Sequence, residues 1–142
     1  GPALEQAVLG DPRLDLDDAG RADIAAHRVD PRVLMSIRFL AAAFGTVRVS
    51  CLITGHPIFT TSGNVSAHIF GRAVDVAALD GTEIVGHQGP DSVTEHAVRL
   101  LLMLPADVAP RQIISLLDLD GPTGNTGSFA MADHADHIHI GY

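Results

Sequence analysis

The chain of 142 residues contains no lysine, no tryptophan, one tyrosine and one cysteine. A single cysteine excludes an intramolecular disulfide and excludes a metal site built on a cysteine pair. Cys51 lies in the run 47–53, which resembles a buried strand, so we expect it to be a small core residue. No apolar run approaches the roughly 20 residues of a membrane-spanning helix, and no secretory signal opens the chain.

Basic residues are also scarce, since the chain has nine arginines and 17 acidic residues, and the net charge is −8. This balance disfavours general nucleic-acid binding, because phosphate backbones select basic surfaces. The hydrophobic fraction of 46% suffices for one core. We expect a polar, partly helical segment over residues 1–29, then one domain over 30–142. Gly1 and Pro2 resemble the remnant of a cleaved purification tag, which would mean that natural N-terminal residues, a signal peptide or another domain are missing.

Periodicity and turn signals predict an α+β fold with a small antiparallel sheet flanked by helices. Asp30 and Pro31 are a favourable helix start, and Gly45 a favourable stop. Asp80-Gly81 is a strong turn signal, and a short strand is expected after it at 83–85. The other predicted elements are helices over 19–27 and from Ser92 to Pro105, strands over 46–54, 73–79, 113–117 and 137–142, and loops over 55–71 and 120–128.

Two histidine clusters stand out, one within 66–75 and one within 133–140. Alternate residues of a strand face the same side, so His137 and His139 point together while Ile138 faces the core. Asp75 lies between valines in an apolar strand, and a buried carboxylate needs a partner. Two histidines, one carboxylate and a water are typical ligands of a catalytic zinc site. Each of these residues taken alone is better explained by an ordinary structural role such as hydrogen bonding, and the combination favours the metal site.

The string Ser-x-His-x-x-Gly-x-Ala-x-Asp over 66–75, followed by a late His-x-His, resembles the zinc D,D-peptidase superfamily. This superfamily includes D-alanyl-D-alanine carboxypeptidases, vancomycin-resistance D,D-dipeptidases, L-alanyl-D-glutamate endolysins and the hedgehog signalling domain. The resemblance spans roughly residues 50–142 and implies a hedgehog/D,D-peptidase-like fold. It implies a secreted or extracytoplasmic zinc metallopeptidase that hydrolyses bacterial peptidoglycan stem peptides, as a D,D-carboxypeptidase or an endopeptidase.

By this resemblance, one Zn²⁺ per chain is bound by His68, Asp75 and His139. Asp136 occupies the general-base position, and Asp133 is a second candidate for that role. The resemblance also implies that His137 polarises the substrate or stabilises the oxyanion. Ser66 either binds a substrate carboxylate or caps the loop before His68.

The chain departs from the family where many members carry Ser-Gly-Tyr-Arg, because Thr54-Gly55-His56-Pro57 stands there instead. Arg72 could bind substrate in place of the missing arginine, or it is a solvated or salt-bridged residue. The few aromatic residues favour a peptide substrate over a glycan. A non-catalytic zinc-containing binding module of the same fold is the alternative. His56, Asn125 and Thr126 could border the site, whereas His27, His87 and His96 are expected outside it.

Overall fold

A computed structural model describes residues 1–60, 63–119 and 127–142. Asn125 and Thr126, and most of the predicted loop 120–128, lie outside this part. The helices are α1 (Pro2–Leu9), α2 (Asp18–Ala25), α3 (Pro31–Phe44) and α4 (Val93–Leu102), with 3-10 turns at Ala67–Phe70 and Ala132–His134. The strands are β1 (Leu14–Leu16), β2 (Val47–Cys51), β3 (Ala73–Leu79), β4 (Thr82–Glu83), β5 (Gln112–Ser115), β6 (Gly127–Ala130) and β7 (Ile138–Gly141).

The described strands form one mixed sheet in the order β1-β2-β3-β7-β5-β6, and β4 pairs with β3. The α+β class is confirmed. The predicted antiparallel pairing holds for the centre, where β3 pairs with β2 and β7, and β7 pairs with β5. It is wrong for the outer pairs, since β1–β2 and β5–β6 are parallel. Neither β1 nor β6 was predicted, and these are the strands that make the sheet mixed.

The two predicted long helices form where capping and periodicity place them. The Asp30 carboxylate accepts a hydrogen bond from the N–H of Arg32 at 2.8 Å, and Pro31 is the first residue of α3. The Ser92 hydroxyl accepts one from the N–H of Glu95 at 3.2 Å and begins α4. In the described part of the chain, no helix combines the length and the apolar character needed to cross a bilayer.

The first 29 residues share the core of the rest of the chain. Val8 and Ile24 are fully buried, and Leu14 and Leu16 of β1 lie in the same hydrophobic cluster as α3 and β3. A boundary at residue 30 therefore does not separate two cores. The short β1 carries only two buried leucines, so its pattern was too brief to predict a strand.

Asp23 of α2 fastens the segment that follows β2. Its carboxylate, in a residue 2% exposed, accepts hydrogen bonds from the N–H groups of Ile53 (3.1 Å) and Thr54 (2.9 Å) and from the Thr54 hydroxyl (2.7 Å). Burial alone would raise the pKa of Asp23, but these hydrogen bonds and the nearby Arg28 outweigh it and lower that pKa. The chain therefore leaves the sheet just after Cys51, although the predicted strand continued to residue 54.

Asp23→Asn is expected to lower the free energy of unfolding by about 1–3 kcal/mol, because an amide nitrogen then faces donors in a buried place. A depressed folded-state pKa means that the carboxylate stabilises the fold above its unfolded-state pKa and loses this effect as the pH falls through the folded value. Urea unfolding at pH 7 and in acid checks both points. A variant as stable as the wild type at pH 7 would contradict this role of Asp23, and Asp18→Asn on the exposed side of α2 is the control.

Candidate metal centre

Three neighbouring strands bring Asp75 between two further ligand-type side chains. On β3, Asp75 is opposite Cys51 of β2 on one side and opposite His139 of β7 on the other. The flanking Val74 and Val76 are fully buried on the other face, as the alternation predicts. The sheet therefore presents a thiol, a carboxylate and an imidazole in one row.

His68 reaches this row from the 3-10 turn that precedes β3. The Ser66 hydroxyl caps this turn by accepting a hydrogen bond from the His68 N–H at 3.2 Å. Gly71 ends the turn in a left-handed conformation (φ 70°), which suits glycine. His68 is fully buried, and its Nδ1 donates a hydrogen bond to the carbonyl oxygen of Leu52. This bond fixes the ring orientation and leaves Nε2 as the atom that faces Asp75.

Three potential ligand atoms converge on one point. His68 Nε2 lies 3.1 Å from Asp75 Oδ1 and 3.2 Å from His139 Nδ1, and the last two atoms are 3.3 Å apart. Ligand bonds of about 2.0–2.1 Å to a tetrahedral zinc ion place ligand atoms about 3.3 Å from one another. The three side chains named from the motif therefore have the spacing of three ligands of one metal ion.

The protonation states also favour a cation at this point. Because His68 Nδ1 donates to a carbonyl, neutral His68 has a lone pair on Nε2, directed at the Asp75 carboxylate and His139. Burial by itself raises the pKa of Asp75, but the neighbouring His139 and His68 outweigh it and hold that pKa well below its usual range. Burial lowers the pKa of His139, against the opposing effect of Asp75. An ionised carboxylate and neutral imidazoles are the forms that bind a metal ion.

Cys51 is a potential ligand that the sequence did not predict. Its Sγ and ligand atoms of His68 and Asp75 lie within 4.8 Å of one another. Cys51 is half-buried rather than a core residue. The β2–β3 register shifts between Val49 and Cys51, so that Cys51 instead of Ser50 is opposite Asp75. Burial, together with the Asp75 charge, raises the pKa of the Cys51 thiol to about 11, so the thiol is protonated in the metal-free protein.

Two Asp–His pairs lie side by side in the turn that enters β7. Asp133 Oδ1 is 2.7 Å from His134 Nδ1, and Asp136 Oδ1 is 2.7 Å from His137 Nδ1. The rings of His134 and His137 are 4.6 Å apart, and His137 Nε2 lies 3.8 Å from Asp75 Oδ1. The hydrogen bond from His137 lowers the pKa of Asp136 despite some burial. His137 and His139 therefore point together, as the strand alternation predicts.

A cleft of about 550 Å³ opens over the metal centre. Asp75, His137 and His139 line its floor together with Ser66. Its walls include Arg72, Asp133 and His134, and apolar side chains such as Phe59, Phe70 and Met131. The guanidinium of Arg72 lies over the Phe70 ring at 5.3 Å from the ring centre. Asp136, whose side chain is 75% exposed, is not among the cleft residues.

The other histidines lie inside or outside the cleft as expected, and an arginine that was not predicted also lines it. His56 lines the cleft, and its ring stacks on His68 at 3.9 Å between centroids. Arg111, the residue before β5, also lines the cleft, although no motif indicated it. Three other histidines lie outside the cleft lining and are hydrogen-bonded elsewhere. His27 contacts Glu5, His87 contacts the carbonyl oxygen of Glu83, and His96 contacts Asp91.

Gly71→Ala is expected to lower both stability and metal affinity. A Cβ at this position would overlap the carbonyl oxygen of Arg28, and the left-handed backbone adds further strain. Together these effects cost about 2–5 kcal/mol and displace the neighbouring His68. Gly81→Ala is the matched control, since it also has a positive φ but no atom within 4 Å of the added Cβ. Equal losses of stability and zinc affinity in the two variants would contradict this account.

Comparison of the chain with protein-family models, with curated proteins and with solved structures gave no match.

Proposed function

We propose that the protein is a zinc-dependent metallopeptidase with a hedgehog/D,D-peptidase-like fold, acting on peptidoglycan stem peptides outside the cytoplasm. The observation that carries the proposal is the convergence of His68 Nε2, Asp75 Oδ1 and His139 Nδ1 within 3.1–3.3 Å of one another. These distances fit three positions of a tetrahedron around one ion, and the cleft adjoins Asp75 and His139. The resemblance of 66–75 and the late His-x-His to the superfamily supplies the reaction class.

The residues around the centre provide the groups that peptide hydrolysis needs. Zinc bound by His68, Asp75 and His139 would supply a water molecule with a pKa lowered towards neutrality. A carboxylate of the 132–137 turn would act as the general base for that water and would pass the proton to the leaving amine. Asp133 is favoured for this role because it lines the cleft and Asp136 does not. His137 is then oriented to donate to the developing oxyanion.

The cleft also has groups suited to holding a peptide. Arg72 and Arg111 provide guanidinium groups for a substrate carboxylate, and Phe59 and Phe70 provide apolar walls. Ser66 is almost fully buried and already caps the turn, so its hydroxyl contributes mainly by holding His68. In this proposal, Arg72 and Arg111 take the role of the family arginine, at whose place this chain has Pro57.

The direct test is incubation of zinc-loaded protein with stem peptides ending in D-Ala-D-Ala and with cross-linked fragments, followed by mass spectrometry. A carboxypeptidase releases one terminal D-alanine, whereas an endopeptidase separates the cross-linked chains. Hydrolysis should stop when a chelator is added and return with zinc. Failure to cleave any of these peptides with stoichiometric zinc present would contradict the proposal.

A second function is favoured by one observation, the position of Cys51. If its thiolate is a fourth ligand, the coordination is closed, as in structural zinc sites, and no water position remains. The protein would then be a non-catalytic zinc-containing binding module. Under this alternative, Cys51→Ser weakens zinc binding, whereas the peptidase proposal expects Cys51→Ser to retain both zinc and hydrolysis.

A further inference from the structure

Gln88, between β4 and α4, is a buried polar residue with three side-chain hydrogen bonds. Its Nε2 donates to the carbonyl oxygens of His134 (2.8 Å) and Ala135 (3.0 Å), and its Oε1 accepts from the N–H of Leu116 (2.8 Å). Because carbonyls only accept and an N–H only donates, one orientation of the amide satisfies all three bonds. The residue is 8% exposed, so these bonds are shielded from water.

These bonds fasten the turn that carries both Asp–His pairs. The turn has little apolar anchorage of its own, since Ala132, Asp133, Ala135 and Asp136 are all exposed. At its beginning, the N–H of Met131 donates to the carbonyl of Ser115 at 2.9 Å, and at its end the chain enters β7. Gln88 ties the middle of the turn to the end of β5.

We infer that Gln88 is a positioning residue for the proposed hydrolysis, holding the 132–137 turn so that Asp133 and His137 face the metal centre. The inference rests on the proposed function for its catalytic consequence. The metal ligands are held independently, because Asp75 and His139 pair across β3 and β7, and His68 bonds to Leu52. Loss of Gln88 should therefore affect turnover without removing zinc.

Two variants separate the contacts of the amide. Gln88→Met removes all three hydrogen bonds at similar volume. Gln88→Glu keeps an oxygen for Leu116 but turns a second oxygen towards the carbonyls of His134 and Ala135. Gln6→Met, at an exposed position of α1, is the matched control. If Gln88→Met does not fold, Gln88→Glu is the variant to measure.

The first measurement is backbone ¹⁵N relaxation of the full zinc-loaded chain, which needs no substrate. Order parameters of residues 132–137 should fall from about 0.85 towards about 0.6 in the Gln88 variants and remain unchanged in the control. Unchanged order parameters in the variants would overturn the inference. Because this readout is independent of turnover, it decides the role of Gln88 in the turn even if the wild-type protein cleaves no peptide.

The second measurement is steady-state kinetics with the stem peptide that the wild type cleaves. We expect kcat to fall about 10–100-fold, because small displacements of catalytic groups have effects of this size, while KM changes less than about threefold and zinc content stays the same. A kcat equal to that of the wild type, or loss of zinc in both variants, would overturn the inference. Inactivity of the wild-type protein would instead count against the proposed function.

Discussion

Replacing His68 with alanine is expected to abolish stoichiometric zinc binding and all zinc-dependent hydrolysis. His68 is the fully buried member of the proposed ligand set, and its Nε2 is directed at both Asp75 and His139. Removing it deletes one of three ligands and leaves the Asp75 carboxylate with weaker compensation for its burial. The fall in zinc affinity should exceed the roughly 10–100-fold that follows loss of a hydrogen-bonding partner of a ligand. Metal content and peptide hydrolysis check the two parts.

His96→Ala is the control for this substitution, because His96 is exposed on α4 and its ring contacts Asp91, away from the proposed ligands. It should retain zinc and activity. Circular dichroism of both variants shows whether the fold is kept. A folded His68→Ala protein that still carries one zinc per chain would refute the ligand set.

Replacing Asp133 with asparagine is expected to leave zinc in place and to lower kcat by about 10²–10⁴-fold, the usual contribution of a general base. The reason is that Asp133 lines the cleft and lies outside the ligand trio. Metal content and kcat, measured on the same preparation, separate this effect from loss of the metal.

Asp136→Asn is the companion variant. If Asp136 acts through His137, as their 2.7 Å contact suggests, its loss of kcat should be smaller than that of Asp133→Asn. A larger loss of kcat in Asp136→Asn would identify Asp136, the position that the family resemblance implies, as the general base. Wild-type kcat in both variants would exclude a turn carboxylate as the base.

The central part of the fold followed from local patterns, whereas the proposed ligand trio was implied by the resemblance of 66–75 and the late His-x-His to a known family. Alternation of valines around Asp75 and of isoleucines around His139 predicted two strands whose polar residues share a face. The cap Asp30 and the stop Gly45 predicted α3. These features depend on neighbours in the sequence, so one chain was sufficient to find them.

The remaining features depend on tertiary contacts that local patterns do not encode. The strands β1 and β6 are short edge strands, and their parallel pairing is set by the chain path rather than by periodicity. Cys51 is opposite Asp75 because of a register shift in β2. Arg111 reaches the cleft from the residue before β5, which is distant in sequence from the motifs. No sequence motif indicates Gln88, because its three hydrogen-bond partners lie 28–47 residues away along the chain.

We expect one zinc ion to be held by His68, Asp75 and His139 with a position open to water. Zinc content combined with X-ray absorption spectroscopy of the wild-type protein tests this expectation most directly. The account predicts about one zinc per chain with only nitrogen and oxygen neighbours at about 2.0–2.1 Å. A sulfur neighbour at about 2.3 Å would identify Cys51 as a ligand and a closed site, and absence of zinc after it is offered would contradict the metal centre itself.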